Sequence, residues 1–103
     1  YARRMFMGAQ GIGPLGLMEQ DPLLIHAEQK LIGQADELIV LVDSSKFANR
    51  SSLVLCPLER IDTIITDDGI DDRTAAMLES ADVTLIVVPG GATQKDGMAR
   101  LPA

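Results

Sequence analysis

Cysteine and histidine are almost missing from this chain of 103 residues, which has one of each. The single cysteine, Cys56, cannot form an internal disulfide, and the apolar run before it predicts a buried thiol in a reducing compartment. The single histidine, His26, falls on the polar side of a predicted helix, where we expect it to be exposed. A structural zinc site is therefore not expected, and no motif in the chain indicates a metal or cofactor.

Basic residues are also scarce. Nine lysines and arginines stand against fifteen acidic residues, which gives a net charge of −6. Direct contact with a nucleic-acid backbone needs clustered positive charge, and the pair Arg3-Arg4 is too short to provide it. We expect this part of the protein not to touch DNA.

Long apolar runs are absent. No stretch reaches the ~18–20 apolar residues of a membrane-spanning helix, and no secretory leader is visible. These features predict a cytoplasmic protein that does not bind a membrane. The chain begins with Tyr1 rather than methionine, so we expect a piece of a longer protein.

The chain does contain short apolar runs of the kind that form strands. Apolar residues make up 47% of the chain and charged residues 23%, which is ordinary for a globular domain. Two of these runs, 38–42 and 84–88, are almost continuously apolar, which predicts parallel strands covered on both faces. The predicted strands are 5–9, 38–42, 52–56, 63–66 and 84–88.

Two predicted helices alternate with the strands. Asp21-Pro22 is typical of a helix start and predicts a helix over 22–35, whereas a turn at 67–69 precedes a second helix from 71 or 72 to 80. The glycine-rich stretch 8–13 is expected to be a loop after the first strand. This alternation predicts an α/β domain with a largely parallel sheet flanked by helices, and ligands in such domains bind beyond the carboxyl ends of the strands.

One carboxylate falls on the apolar face of the first predicted helix. At 100° per residue, Glu28 lies within a stripe formed by Leu24, Leu31 and Ala35 and flanked by Ala27 and Ile32. An unpaired charge on a buried face costs several kcal/mol or more. Either Glu28 extends to the edge of the stripe, or it points into a polar pocket.

The stretch Asp43-Ser44-Ser45-Lys46 ends a buried strand and permits two interpretations. Asp43 could close a turn with Ser45 and leave Lys46 in solvent. Alternatively, Lys46, the serine hydroxyls and the N–H groups of the loop could bind an anion. The glycine-rich stretch could present further N–H groups, although it matches no dinucleotide or Walker motif.

Four segments together resemble a known family. These segments are MFMGAQGIGPLGLMEQD (5–21), AEQKLIGQADELIVLVDSSKF (27–47), CPLERIDTIITDDGI (56–70) and LESADVTLIVV (78–88). They look like the C-terminal effector domain of DeoR-family bacterial transcriptional regulators. The resemblance implies a homo-oligomeric, non-enzymatic regulator of carbohydrate metabolism. It implies a phosphorylated sugar or related metabolite as the effector, and DNA contact only through an N-terminal helix-turn-helix that this chain does not contain.

The resemblance also implies a fold and a division of the chain. These domains are similar to ribose-5-phosphate isomerase, glucosamine-6-phosphate deaminase and the CoA transferases. Residues 1–88 would form the C-terminal part of such a domain. The composition of residues 89–103, which begin with Pro89-Gly90-Gly91, separately predicts a polar tail that we expect to be disordered.

The resemblance finally assigns roles to single residues. Glu28 and Lys46 stand at a spacing similar to that of a catalytic glutamate and a phosphate-binding lysine in the isomerases. It implies that Lys46 holds a phosphate with Ser44 and Ser45 in a loop shaped by Asp43. The residues implied to read the sugar are Gln10, Gly11, Ile12 and Glu28.

One departure from the isomerases bears on catalysis. Gln10 replaces an aspartate of those enzymes, and an amide cannot act as a general base. Isomerase chemistry is therefore not expected. An enzyme fragment and a pure oligomerisation module with a degenerate pocket stay as alternatives.

Overall fold

The larger of two sheets sets the architecture of the computed structural model, which describes residues 2–49 and 53–89. Its strands run in the order β1-β4-β6-β7 and are all parallel. A smaller antiparallel sheet has the order β2-β3-β5. The predicted α/β class is confirmed. The elements are β1 Ala2–Met7, β2 Gly11–Gly13, β3 Gly16–Glu19, α1 Pro22–Gly33, β4 Ala35–Leu41, β5 Leu53–Cys56, β6 Thr63–Asp67, α2 Asp72–Ser80 and β7 Thr84–Val88.

All connections of the parallel sheet cover the same face. The strand order increases steadily along the chain, and right-handed crossovers then place each connection on one side. The pattern of burial agrees with this placement, because a single core contains residues of the parallel sheet, of the smaller sheet and of both helices. Its fully buried members include Ile12, Leu17, Leu38, Val40, Ile64 and Leu78.

The opposite face of the sheet is partly open among the described residues. Phe6 on β1 is 60% exposed and Ile86 on β7 is 44% exposed. The expected coverage on both faces holds for the middle of β4, where Leu38 and Ile39 are both buried. It is wrong for β7, because this strand lies at the edge of the sheet and only one of its faces meets the core.

The glycine-rich stretch forms a hairpin where the sequence predicted a loop. β2 and β3 pair with Gly13 opposite Gly16, and Pro14-Leu15 makes the turn. Gly16 has φ of +132°, and a Cβ there would overlap the carbonyl oxygen of Cys56, so only glycine fits this position. Three- and four-residue strands are too short to show an alternating pattern, which is why the hairpin was missed.

Both helices begin as predicted. The side chain of Asp21 accepts the N–H of Leu23 at 2.9 Å, and that of Asp71 accepts the N–H of Thr74 at 2.7 Å. The first helix ends at Gly33 rather than at 35, because Ala35 already belongs to β4. Arg60 closes this junction by donating to the carbonyl oxygens of Ile32 and Ala35, each at 2.8 Å.

The buried face of α1 differs from the predicted stripe. Leu24 and Leu31 are about half exposed, whereas Ile32, which flanks the predicted stripe, is buried and Ile25 packs against the core. Glu28 lies on this buried face between them, and His26 is exposed as predicted. The helix is turned relative to the prediction because it packs against the smaller sheet, which the sequence did not reveal.

Two strands begin at earlier residues than the sequence predicts, because pairing with a neighbouring strand decides where they start. β1 and β4 begin earlier than predicted, because Arg4 pairs with Glu37 across them and their side chains form an ion pair at 3.1 Å.

Cys56 is buried at the end of β5, and burial raises the pKa of its thiol. Residue 52 of the predicted strand and residues 90–103 of the predicted tail lie outside the described residues.

Candidate functional site

The two segments singled out from the sequence meet at the carboxyl edge of the parallel sheet. β1 ends at Met7 and β4 at Leu41, and the two strands are neighbours. Consequently residues 8–10 and 43–46 leave the sheet side by side. Asn49 joins them, because its Nδ2 donates to the carbonyl oxygen of Gln10 at 3.0 Å.

Asp43 shapes the loop after β4. Its Oδ1 accepts the N–H of Ser45 at 2.9 Å and also the Ser45 hydroxyl, and a short 3₁₀ turn follows over Ser44–Phe47. This is the predicted turn. The N–H of Lys46 donates to the carbonyl oxygen of Asp43 at 3.1 Å, which closes the first turn of the 3₁₀ segment.

Asp67, at the end of β6, holds the same loop from the other side. Its Oδ2 accepts the N–H of Ser44 at 2.9 Å, and its Oδ1 accepts the N–H of Gly69 at 2.8 Å. The hydrogen bond from the Ser44 N–H is the largest cause that lowers the pKa of Asp67, followed by one from the Ser44 side chain. The predicted turn at 67–69 is therefore present, and it has a second role as an anchor for the loop.

These contacts correct one detail of the anion-binding interpretation. The N–H groups of Ser44, Ser45 and Lys46 all donate to acceptors within the protein. They are not directed at an outside anion, because Asp43 and Asp67 use them to fix the loop. The half-buried Lys46 side chain supplies the positive charge of this segment.

The residues before the hairpin pack closely on this loop. Gln10 is exposed, and a Cβ added to Gly11 would lie 3.0 Å from the carbonyl oxygen of Asn49. Ile12 is fully buried in the core, so its side chain offers an effector no exposed atom in this structure. The close approach explains glycine at position 11 and leaves Gln10 as the exposed polar side chain of this segment.

Glu28 lies against a second carboxylate that the sequence did not single out. Glu19, at the end of β3, hydrogen-bonds the Glu28 side chain and accepts the N–H groups of Gln20 and Asp21 at 2.8 and 3.0 Å. Burial, together with the hydrogen bond and charge of Glu19 and the charge of Asp21, raises the pKa of Glu28 to about 7. The predicted polar surrounding of Glu28 is thus an acidic one.

Two hollows border the loop on the α2 side. One of about 410 Å³ lies between the hairpin and α2, and one of about 260 Å³ lies between the loop and the start of α2. Phe47 and Thr74 line both. Ser44 lines the second hollow, so this loop residue faces both Asp67 and an open space.

The sequence did not predict the contacts of Asp67 with the loop or of Glu19 with Glu28. Asp67 could have been found, because it ends a predicted parallel strand and such ends meet at one edge. Glu19 could not, since its position depends on the unrecognised hairpin.

Comparison with known proteins identifies the chain. Residues 1–68 match the family model of the DeoR C terminal sensor domain. The chain belongs to the DeoR family. The matched part is a sensor domain of that family, which confirms the family resemblance seen in the sequence.

Curated DeoR-family relatives align over most of the chain. The HTH-type transcriptional regulator UlaR of Shigella dysenteriae serotype 1 (strain Sd197) is 34% identical over 84 residues, which cover 82% of this chain and 34% of that protein. The protein of the same name from Escherichia coli O1:K1 / APEC is 33% identical over the same shares. The aligned part thus spans about a third of the length of these regulators.

The described residues contain neither a membrane-spanning helix nor a metal-binding cluster. None of the helices in 2–49 and 53–89 is long and apolar enough to cross a membrane. Within the same residues, no group of three or more histidine, cysteine, aspartate or glutamate side chains is arranged to hold a metal ion.

Proposed function

We propose that this DeoR-family domain senses a phosphorylated sugar or a related metabolite, with Lys46 as the ligand of the phosphate group. The observation that carries the proposal is the loop at the carboxyl edge of the sheet. Its N–H groups are bonded internally, which fixes the loop, and the half-buried Lys46 side chain supplies its positive charge. A lysine ammonium binds phosphate as a point charge.

The same edge offers groups for the sugar. Gln10 is exposed, and the backbone of its segment is tied to the loop by Asn49. An amide can both donate to and accept from a hydroxyl group. Glu28 is the second sugar contact in this proposal, and it comes from α1 on the side of the smaller sheet.

The domain regulates rather than catalyses in this proposal. Gln10 cannot take up a proton, which removes one of the groups that isomerase chemistry needs. An effector shifts an equilibrium only through different affinities for two states. Binding would therefore favour one arrangement of a cytoplasmic homo-oligomer, and the DNA-binding domains of the parent protein would respond through their relative placement.

The open sheet face supports the oligomeric part of the proposal. Phe6, Leu41, Ile86 and Val88 leave apolar area exposed among the described residues. Such area is usually covered in an assembled protein. Sedimentation of the full-length regulator with and without effector tests this part, and a monomer in both states would contradict it.

Calorimetry on the full-length regulator tests the effector class. A panel of sugar phosphates is compared with the matching free sugars and with inorganic phosphate. We expect at least one sugar phosphate to bind and its free sugar to bind at least ten times more weakly. Absence of binding across the panel would contradict the proposal, and turnover of a sugar phosphate would favour the enzyme alternative.

A further inference from the structure

Two carboxyl groups lie next to each other between α1 and the smaller sheet. Glu19 ends β3, Glu28 lies on the buried face of α1, and their side chains are hydrogen-bonded. Two carboxylates cannot form such a bond, because both are acceptors only. One proton must therefore lie between them.

The surroundings decide which group carries the proton. Glu19 is only 6% exposed, and it accepts the N–H groups of Gln20 and Asp21. These hydrogen bonds favour the charged form and lower the pKa of Glu19, with the Asp21 N–H as the largest cause. Glu19 is accordingly the ionised member of the pair.

Glu28 lacks this support. Its Oε1 is buried, and no described residue donates a hydrogen bond to that atom. A buried carboxylate oxygen without a donor is costly, and a proton of its own removes the charge. The two backbone donors on Glu19 and the unpartnered Oε1 of Glu28 thus make Glu28 the protonated member.

The acidic groups nearest Glu28 act in the same direction, whereas the one cation described above as donating to α1 is Arg60, at the carbonyl oxygen of Ile32. Glu19 comes from β3 and Asp21 from the helix start, and both are acidic. β5 carries no charged side chain, and burial keeps the thiol of Cys56 protonated by raising its pKa. On β4, Asp36 and Glu37 follow the end of the helix, and Glu37 pairs with Arg4.

We propose that Glu19 is a positioning residue that keeps a proton on Glu28, so that the sensor site meets its effector with a neutral carboxyl group at neutral pH. This inference rests on the proposed role of Glu28 as a contact of the effector. Because the single O–H of Glu28 is committed to Glu19, the neutral group has only Oε1 left to accept from a sugar hydroxyl, and it does not repel an anionic phosphate. Loss of the proton would place two negative charges beside an anionic ligand and weaken its binding.

The direct experiment is a ¹³C NMR titration of the Glu28 side-chain carboxyl in the full-length regulator without effector. The resonance is assigned by its loss in Glu28→Gln. In the wild type we expect the titration midpoint near 7, and in Glu19→Gln we expect it to move towards the ordinary value of 4.5. The control Glu79→Gln removes an exposed carboxylate on α2 and should leave the midpoint unchanged.

Two results would overturn the inference. One is a wild-type midpoint near 4.5, which needs no variant and so remains decisive if Glu19→Gln does not fold. The other is a folded Glu19→Gln protein whose Glu28 midpoint has not moved, because Glu19 would then only shape its turn. Neither measurement uses an effector, so a calorimetric panel without a binder would contradict the proposed function and leave this result standing.

The pH profile of binding extends the test to function. For the sugar phosphate that binds most tightly in the panel, affinity is measured from pH 7 to 9, where the phosphate itself is already mostly in its doubly charged form. We expect the affinity of the wild type to fall several-fold and that of Glu28→Gln to stay level. Equal slopes for both proteins would overturn the role of the proton at the effector.

Discussion

The carboxylate of Asp67 accepts the backbone N–H of Ser44 at 2.9 Å, and this bond ties the loop after β4 to the end of β6. The two strands are hydrogen-bonded neighbours, so the contact joins adjacent positions at one edge of the sheet. The loop that carries Lys46 is therefore held by two carboxylates, one from each side. This arrangement leads to the first prediction.

Asp67→Asn should destabilise the regulator by about 1–3 kcal/mol, because an amide can accept only one of the two N–H bonds. Urea unfolding at pH 7 measures the loss, with Glu79→Gln as a control on the exposed side of α2. The depressed pKa means that the contribution of Asp67 is present above its unfolded pKa of 3.8 and is lost as the pH falls through the folded value. A difference between the two proteins that does not shrink as the pH falls below 3.8 would contradict this account.

Gly16→Ala should prevent stable folding or cost more than about 3 kcal/mol, since the added Cβ meets the Cys56 carbonyl at a positive φ. Gly33→Ala is the matched control, because nothing lies within 4 Å of a Cβ at that position in α1. We expect the control to be neutral or slightly stabilising. Circular dichroism during thermal unfolding compares the two, and similar midpoints would show that the hairpin is placed wrongly.

Glu28→Gln should flatten the pH dependence of stability. The folded pKa of about 7 lies above the ordinary 4.5, so the folded state holds an extra proton between these values. The free energy of unfolding of the wild type therefore falls as the pH rises from 4.5 to above 7, by about 1–2 kcal/mol for this half-buried group. Urea unfolding at a series of pH values checks the slope, and a wild-type curve parallel to that of the variant refutes the prediction.

Arg60→Lys should cost about 1–2 kcal/mol, because one ammonium nitrogen cannot replace two guanidinium nitrogens, of which Nη2 donates to the carbonyl oxygens of Ile32 and Ala35 and Nη1 to Asp62. Arg73→Lys, on the exposed start of α2, serves as the control for losing an arginine. Thermal unfolding of both variants gives the comparison. Equal stability of the two would mean that the junction between α1 and β4 does not depend on Arg60.

The features that the sequence predicted well depend on residues that are adjacent in the chain. Asp21-Pro22 marks the start of α1, Asp71 marks the start of α2, and the continuous apolar run at 84–88 matches β7. Each depends on local hydrogen bonds or on a run long enough to show its pattern. The turn closed by Asp43 belongs to the same class.

The features that it did not predict depend on partners far away in the chain. The hairpin becomes a sheet only through pairing of β3 with β5, and that sheet decides which face of α1 is buried. Glu28 was therefore placed on a buried face for the wrong reason, because the predicted stripe of Leu24 and Leu31 is half exposed. Glu19, which contacts Glu28, was not predicted either, because its position depends on the same unrecognised pairing.

The central claim is that Lys46 binds the phosphate of the effector, and its most direct test is calorimetry with Lys46→Met. Methionine keeps most of the side-chain volume and removes the charge, and Lys30→Met, on the exposed face of α1, is the matched control. For the best-binding sugar phosphate of the panel, we expect Lys46→Met to lose at least tenfold in affinity, or about 1.4 kcal/mol, while Lys30→Met binds like the wild type. Unchanged affinity of a folded Lys46→Met protein would contradict the account.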